Sequence, residues 1–286
     1  RQRQMCIRDS YEGAIEGMTG VVESMDSLTI AKNTSIYANF ACWHALAGKY
    51  GKARELARKA VRAYRKYAVE PKAIFRLDKD TAEINRVTDN IQSLVRTQWN
   101  SHDSVTYTMR DIKSEFLLLK CDLMRNLDRH VRDPRYYDCV ADYAFELSKM
   151  SKYMEARDAM NAYLREWKEC YDTLGADPSD KDAPLDKVVM RMTLGDALEF
   201  RRRKCYDKGD PEGAAAHRDF IAYVKEESGE DSDDYVNAMV DYYRYIDDKA
   251  GLVNFLAAKI EDDPESFSPR AFSDVAESLE ETGDKD

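Results

Sequence analysis

Apolar residues step along this chain by three and four with few interruptions, and that period decides what the chain can fold into. The clearest run is Val105, Met109, Ile112, Phe116, Leu119, Leu123 and Leu127. It forms one stripe on an α-helix, whereas a half-buried strand would alternate. The same reading predicts helices over 11–26, 33–48, 52–68, 79–98, 104–129, 136–149, 153–172, 185–206, 211–227, 232–246, 249–260 and 268–282, with no strand. Only 12 glycines and 7 prolines occur in 286 residues, too few turn residues for a β-sandwich or a collagen-like chain. Charged residues at 34% on a 43% apolar background suit helices with one wet face.

Paired helices joined by tight turns require a search for repeats. Gly48-Lys49-Tyr50-x-x-Ala53 returns as Ser151-Lys152-Tyr153-x-x-Ala156 and, more loosely, as Gly209-Asp210-Pro211-x-x-Ala214. Truncated copies stand at Ser10-Tyr11-x-x-Ala14 and Gly283-Asp284. A small residue lets the second helix cross closely over the first, and the turn glycine takes the left-handed conformation that ends the first helix. This phrase resembles the turn of a tetratricopeptide repeat.

The resemblance implies an all-α, right-handed α-α superhelix, a solenoid of antiparallel hairpins with expanded, irregular repeats. Residues 11–286 then form a single helical-repeat domain. Its units are 11–26 (half), 33–71, 79–131, 136–173, 185–228, 232–262 and 268–286 (half). The family register places Tyr37, Phe40, Ala41, His44, Ala53, Ala57 and Ala60 on packing faces. It does the same for Val140, Tyr143, Ala144, Leu147, Ala156, Met160 and Tyr163, and for Phe272, Val275, Ala276 and Leu279. The unit around Gly209 departs from the pattern, because Arg201 and Arg202 fall where apolar residues belong. Spacing departs too, since the alanines at 14, 53, 156 and 214 are not separated by the family's period of about 34.

Residues 1–10 (RQRQMCIRDS) read as a non-native or disordered leader, and both ends of the chain look truncated. Residues 206–286 hold 23 acidic and 8 basic side chains, leaving 31 and 36 in the remainder. Six scattered cysteines without a Cys-x-x-Cys pair point to reduced, packed thiols and a cytoplasmic setting, with an extracytoplasmic sensor segment as the alternative. No run of about 20 apolar residues is present to span a bilayer.

Chemistry-bearing motifs are sparse. Asp231-Ser232-Asp233-Asp234 is expected to cap a helix, and Glu261-Asp262-Asp263 to be a wet turn, not a metal site. His44, His102, His130 and His217 lie far apart, so no metal or other cofactor is expected. No catalytic motif is recognised, and a non-catalytic role is expected. Arg54, Arg58, Arg62 and Arg65 form a basic stripe, read as a solvated outer face, with phosphate binding as the competing use.

The resemblance further implies a concave groove, lined by first helices, that binds a protein or peptide. In the family register this row includes Ser35, Cys42, Asp138, Phe145, Lys149, Glu199, Arg203, Tyr206, Glu277 and Glu280. The expected function is a binding scaffold, the sensory or docking segment of a longer bacterial signalling protein. The alternatives are a nucleic-acid-binding regulator using the basic stripe and an all-helical enzyme without a known motif.

Overall fold

A computed structural model of the chain describes residues 2–68, 77–97, 104–127 and 129–262. Within them lie twelve α-helices, one 3₁₀ turn at His130–Arg132, and no strand. The helices are α1 Gln2–Glu23, α2 Ser27–Lys32, α3 Thr34–Leu46, α4 Tyr50–Ala68, α5 Leu77–Thr97 and α6 Ser104–Met124. They continue as α7 Pro134–Lys149, α8 Tyr153–Thr173, α9 Ala183–Lys204, α10 Pro211–Ser228, α11 Asp233–Tyr245 and α12 Lys249–Asp262. The chain divides into two units, Arg1–Thr193 and Leu194–Asp286.

In the first unit, consecutive helices pair as α3 with α4, α5 with α6, and α7 with α8. Alternate helices also meet, α1 with α3 and α3 with α5, α2 with α4 and α4 with α6. The core gathers Tyr37, Phe40, Ala41, Ala53, Ala57, Ala60, Ile84, Ile91, Ile112 and Phe116, all at most 2% exposed. Every packing residue expected around the Gly48 and Ser151 turns is buried except Tyr143, which is half-buried.

The two best-matched turns share one hydrogen-bond pattern. Gly48 has φ +79°, with Lys49 N–H donating to His44 O at 2.8 Å and Gly48 N–H to Ala45 O at 3.0 Å. Ser151 has φ +59°, with Lys152 donating to Leu147 O and Ser151 to Ser148 O, both at 3.0 Å. These paired bonds close a helix end around one left-handed residue. The next helix then starts at once, and Ala53 and Ala156, both fully buried, sit where it crosses its predecessor.

One expectation needs correction, one helix was not anticipated, and one expected helix is not described. Helix α1 runs unbroken through Ser10–Ala14, so that stretch is helix interior and not a truncated turn. Helix α2 was not anticipated, because six residues are too few to show a period. The Asp26 carboxylate caps it by accepting from Thr29 N–H at 2.7 Å, and Ile30 and Ala31 bury its inner face. The helix expected at 268–282, with Phe272, Val275, Ala276, Glu277, Leu279 and Glu280, lies outside the described residues.

In the second unit α10 packs on α11 and α11 on α12. Asp210 caps α10 by accepting from Glu212 N–H at 2.9 Å, with Pro211 in the first helical position. Residues 205–210 intervene between α9 and α10, so this turn is longer than the one at Gly48. The close approach seen on α10 is to α11, one residue before the expected Ala214. Gly213 is buried, and a Cβ there would collide with the Tyr245 ring, while Ala214 is half-buried. Ser232 Oγ caps α11 by accepting from Tyr235 N–H at 3.2 Å, with Asp233 and Asp234 in the first turn. The turn at Asp247 (φ +57°) repeats the Gly48 bond, Asp248 N–H to Tyr243 O at 3.0 Å, and puts Leu252 where Ala53 stands.

Candidate functional site

Helix α7 shows how the expected binding residues are presented. Cys139, Val140, Ala144 and Leu147 are buried against neighbouring helices. Asp138, Phe145 and Lys149, at positions i, i+7 and i+11, share another face. Asp138 and Lys149 are exposed and Phe145 is half-buried, with the Lys149 ammonium 5.2 Å from the centre of its ring. A cation over a partly desolvated ring is attracted by the ring's negative face.

The helix is held by a buried carboxylate. Glu146 is 1% exposed and accepts from Arg110 Nη1 at 2.7 Å and from Lys113 Nζ at 2.8 Å. Lys113 also donates to Gln92 Oε1 on α5 at 2.8 Å, so α5, α6 and α7 meet at one polar node. The residue numbers of the α6–α7 pairs have nearly constant sums, which makes the two helices antiparallel.

Two residues expected to line a groove make contacts within the fold. Cys42 is fully buried, and burial pushes its thiol up to about 12. Ser35 is half-buried and accepts from Arg86 Nη2 of α5 at 3.1 Å. Cys42 sits on the buried side of α3 and Ser35 beside α5, a placement that periodicity alone does not specify.

The basic stripe of α4 faces a row of acids on α6. Arg54 Nε meets Asp111 Oδ2 at 3.0 Å, Arg58 Nε meets Glu115 Oε1 at 3.0 Å, and Arg65 Nη2 meets Asp122 Oδ2 at 2.5 Å. Each partner is 57 residues further along, a constant difference that makes α4 and α6 parallel. Arg62 is exposed. The stripe is therefore largely a helix-packing device, and its matching signal was the spacing of Asp111, Glu115 and Asp122 in the sequence.

Where this ladder ends, Tyr107 lies between two cations. Arg54 is 6.0 Å and Lys152 5.8 Å from its ring centre, and Asp111 Oδ1 accepts from Lys152 Nζ at 2.8 Å. Tyr50, Arg54, Ser104, Tyr107 and Thr108 line a recess of about 520 Å³ here. A mixed-charge cluster with an exposed ring is suited to a polar, partly aromatic group, and sequence reading missed it because its parts come from α4, α6 and the turn before α8.

In the second unit Glu199 and Arg203 pair at 3.3 Å, and Arg203 also reaches Asp241 Oδ2 at 3.1 Å. Arg202, expected to be a misfit, is 4% exposed. Its guanidinium lies 4.4 Å above the centre of the Phe220 ring, and its Nη1 donates to Asp241 Oδ2 at 2.9 Å. Burial raises the Asp241 carboxyl, but hydrogen bonds from Arg202 outweigh it and hold the group below the usual range. An arginine thus fills an apolar position, its stem and ring face packing while its charge is matched. Tyr206 is half-buried nearby in sequence.

Among the described residues, no group of three or more His, Cys, Asp or Glu side chains is arranged to hold a metal ion. No helix among them is long and apolar enough to cross a membrane. No family model matches the chain, and neither does any curated protein or solved structure.

Proposed function

We propose that the chain is a non-catalytic, tetratricopeptide-like scaffold that binds an extended peptide or a segment of a protein partner. In this reading it is the sensory or docking part of a larger signalling protein. What supports the reading is the pair of identical turns at Gly48 and Ser151, each followed by a buried alanine at the same offset. Such turns leave one face of each first helix without a neighbour in its own hairpin.

On α7 that face carries Asp138, Phe145 and Lys149. Phe145 supplies an apolar anchor, Lys149 a cation for a carboxylate, and Asp138 an acceptor for a basic side chain or backbone N–H. Glu146 pins the helix in register, so the three groups are held in place before a ligand arrives. Engaging Glu199 and Arg203 would break their ion pair with each other and that of Arg203 with Asp241, so the proposed surface is centred on α7.

The nucleic-acid alternative draws no support from α4, because carboxylates engage three of its four stripe guanidiniums. Panning a displayed random-peptide library against the purified chain, then measuring fluorescence anisotropy of an enriched peptide, tests the proposal. Phe145→Ala should weaken binding at least about tenfold, and Lys149→Ala less. The proposal fails if no peptide is enriched over a blank surface, or if Phe145→Ala and Lys149→Ala bind as the parent does. Binding lost only in a variant with all four stripe arginines changed to alanine, with steep salt dependence, would favour a phosphate ligand.

A further inference from the structure

We propose that Cys121 on α6 and Cys139 on α7 are a site of reversible oxidative modification, closing to a disulfide that ties the two helices together. Their sulfurs lie 3.0 Å apart. A disulfide needs about 2.0 Å, so roughly 1 Å of approach completes the bond. Both residues sit on helices α6 and α7, which pack against each other, and the sulfurs already face one another across that packing.

The two thiols differ in access, and the difference assigns their roles. Cys139 is fully buried, and its Sγ lies 3.6 Å from Leu117 O. Cys121 is 2% exposed but lines a recess of about 300 Å³ with Leu118, Arg125, Val140 and Tyr143. A small peroxide entering that recess meets Cys121 first. The guanidinium of Arg125 in the same wall favours the thiolate, Asp122 opposes it, and Glu155 and Asp158 complete the lining.

In the first step the Cys121 sulfur attacks the peroxide O–O bond, forming a sulfenic acid and releasing water. In the second, the Cys139 sulfur attacks the Cys121 sulfur, the S–S bond forms, and the hydroxyl leaves as water. Two thiols and one hydrogen peroxide thus give one disulfide and two waters. The two sulfurs are oxidised, the peroxide is reduced, and both thiol protons end in water. A dithiol reductant reverses the change. The hydrogen bond to Cys139 and burial hold the Cys121 thiol well above the usual range, so the site answers sustained oxidation and not a brief pulse.

The test treats the purified chain with hydrogen peroxide and blocks free thiols with iodoacetamide under denaturing conditions. The chain is then reduced, and newly freed thiols are labelled with N-ethylmaleimide. Peptide mass spectrometry should find the second label on Cys121 and Cys139 in equal amounts, and the oxidised chain should melt at a higher temperature until dithiothreitol is added. In Cys139→Ser, dimedone should capture a sulfenic acid at Cys121, and in Cys121→Ser, Cys139 should stay reduced. Circular dichroism checks that both variants are folded, and the unsubstituted chain alone decides the pairing. The proposal is overturned if both cysteines carry only iodoacetamide after prolonged oxidation, if the second label follows a different pair, or if Cys139 oxidises equally fast in folded Cys121→Ser.

Discussion

Glu146 of α7 and Lys113 of α6 meet at 2.8 Å with the carboxylate almost wholly out of water. Arg110 closes the other side at 2.7 Å. Removing one partner of such a group leaves the remaining charge unmatched in a low-dielectric site, which costs more than the pair itself contributes. Because Lys113 and Arg110 still reach solvent in part, Glu146→Ala should destabilise by about 2 kcal/mol, below the 3–5 of a fully buried pair. Urea denaturation measures it, and an unchanged midpoint would show that the node contributes nothing.

The matched turns predict substitutions of opposite sign. Gly48→Ala places a Cβ in the left-handed region with no atom within 4 Å to collide with, so its cost, about 1 kcal/mol, is conformational. Ser151→Gly removes the same penalty and should stabilise by about 0.5 kcal/mol after the larger chain entropy of glycine is set against it. Thermal melts of the two variants should move in opposite directions, and a fall in both would contradict the shared geometry.

At the second unit's turn, Gly213→Ala should destabilise by about 2 kcal/mol through overpacking. The added methyl falls on the end of the Tyr245 ring, whose hydroxyl lies 2.9 Å from Asp207 O and whose ring packs 4.7 Å from His217. Those contacts keep the ring from swinging aside. Ala214→Leu, one residue on at a half-buried position, should cost less. Equal midpoints for the two variants in guanidinium denaturation would show that α10 does not meet α11 closely at Gly213.

His217 gives the fold a pH dependence. Burial lowers it from 6.5 to about 4, with Arg202 and Arg203 adding to the shift and Asp241 opposing it. The unfolded chain therefore binds a proton between these values that the folded chain does not, so stability rises with pH across the window. The contribution is complete above about pH 6.5 and is lost as pH falls towards 4. From pH 7 to pH 5 the loss from this group should be about 2 kcal/mol. His217→Gln, compared with the parent by urea titration at both values, should show a shallower decline, and parallel declines would refute the assignment.

Ala156→Leu probes the first unit's register. Ala156 is fully buried where α8 begins against α7, and three extra carbons should cost about 1–3 kcal/mol. A variant that keeps its parent's denaturation midpoint would show that the crossing is loose.

Helices were legible because each is written locally. The three-and-four period, the Asp-Pro starts at Asp133 and Asp210, and the left-handed closure at Gly48 all act within a turn or two of backbone. The small residues Ala53 and Ala156 were legible for the same reason, since a close crossing next to a tight turn is a short-range demand. The break at Asp247 was expected between helices over 232–246 and 249–260, but its likeness to the Gly48 turn was not, because its left-handed residue is neither Gly nor Asn and its crossing residue is Leu252.

What the sequence determined by itself was therefore the helices, most of their limits and the faces they bury, because backbone hydrogen bonding and amphipathic period are properties of neighbouring residues. Only the tertiary structure decided which charges meet. The stripe Arg54, Arg58 and Arg65 could have faced water or phosphate until α6 came alongside with Asp111, Glu115 and Asp122. The tertiary structure likewise decided that Cys42 is interior, that Arg202 replaces an apolar side chain, and that Cys121 stands beside Cys139. Each of these depends on a helix brought in from elsewhere in the chain, and a periodic stripe states that a face is buried without stating what buries it.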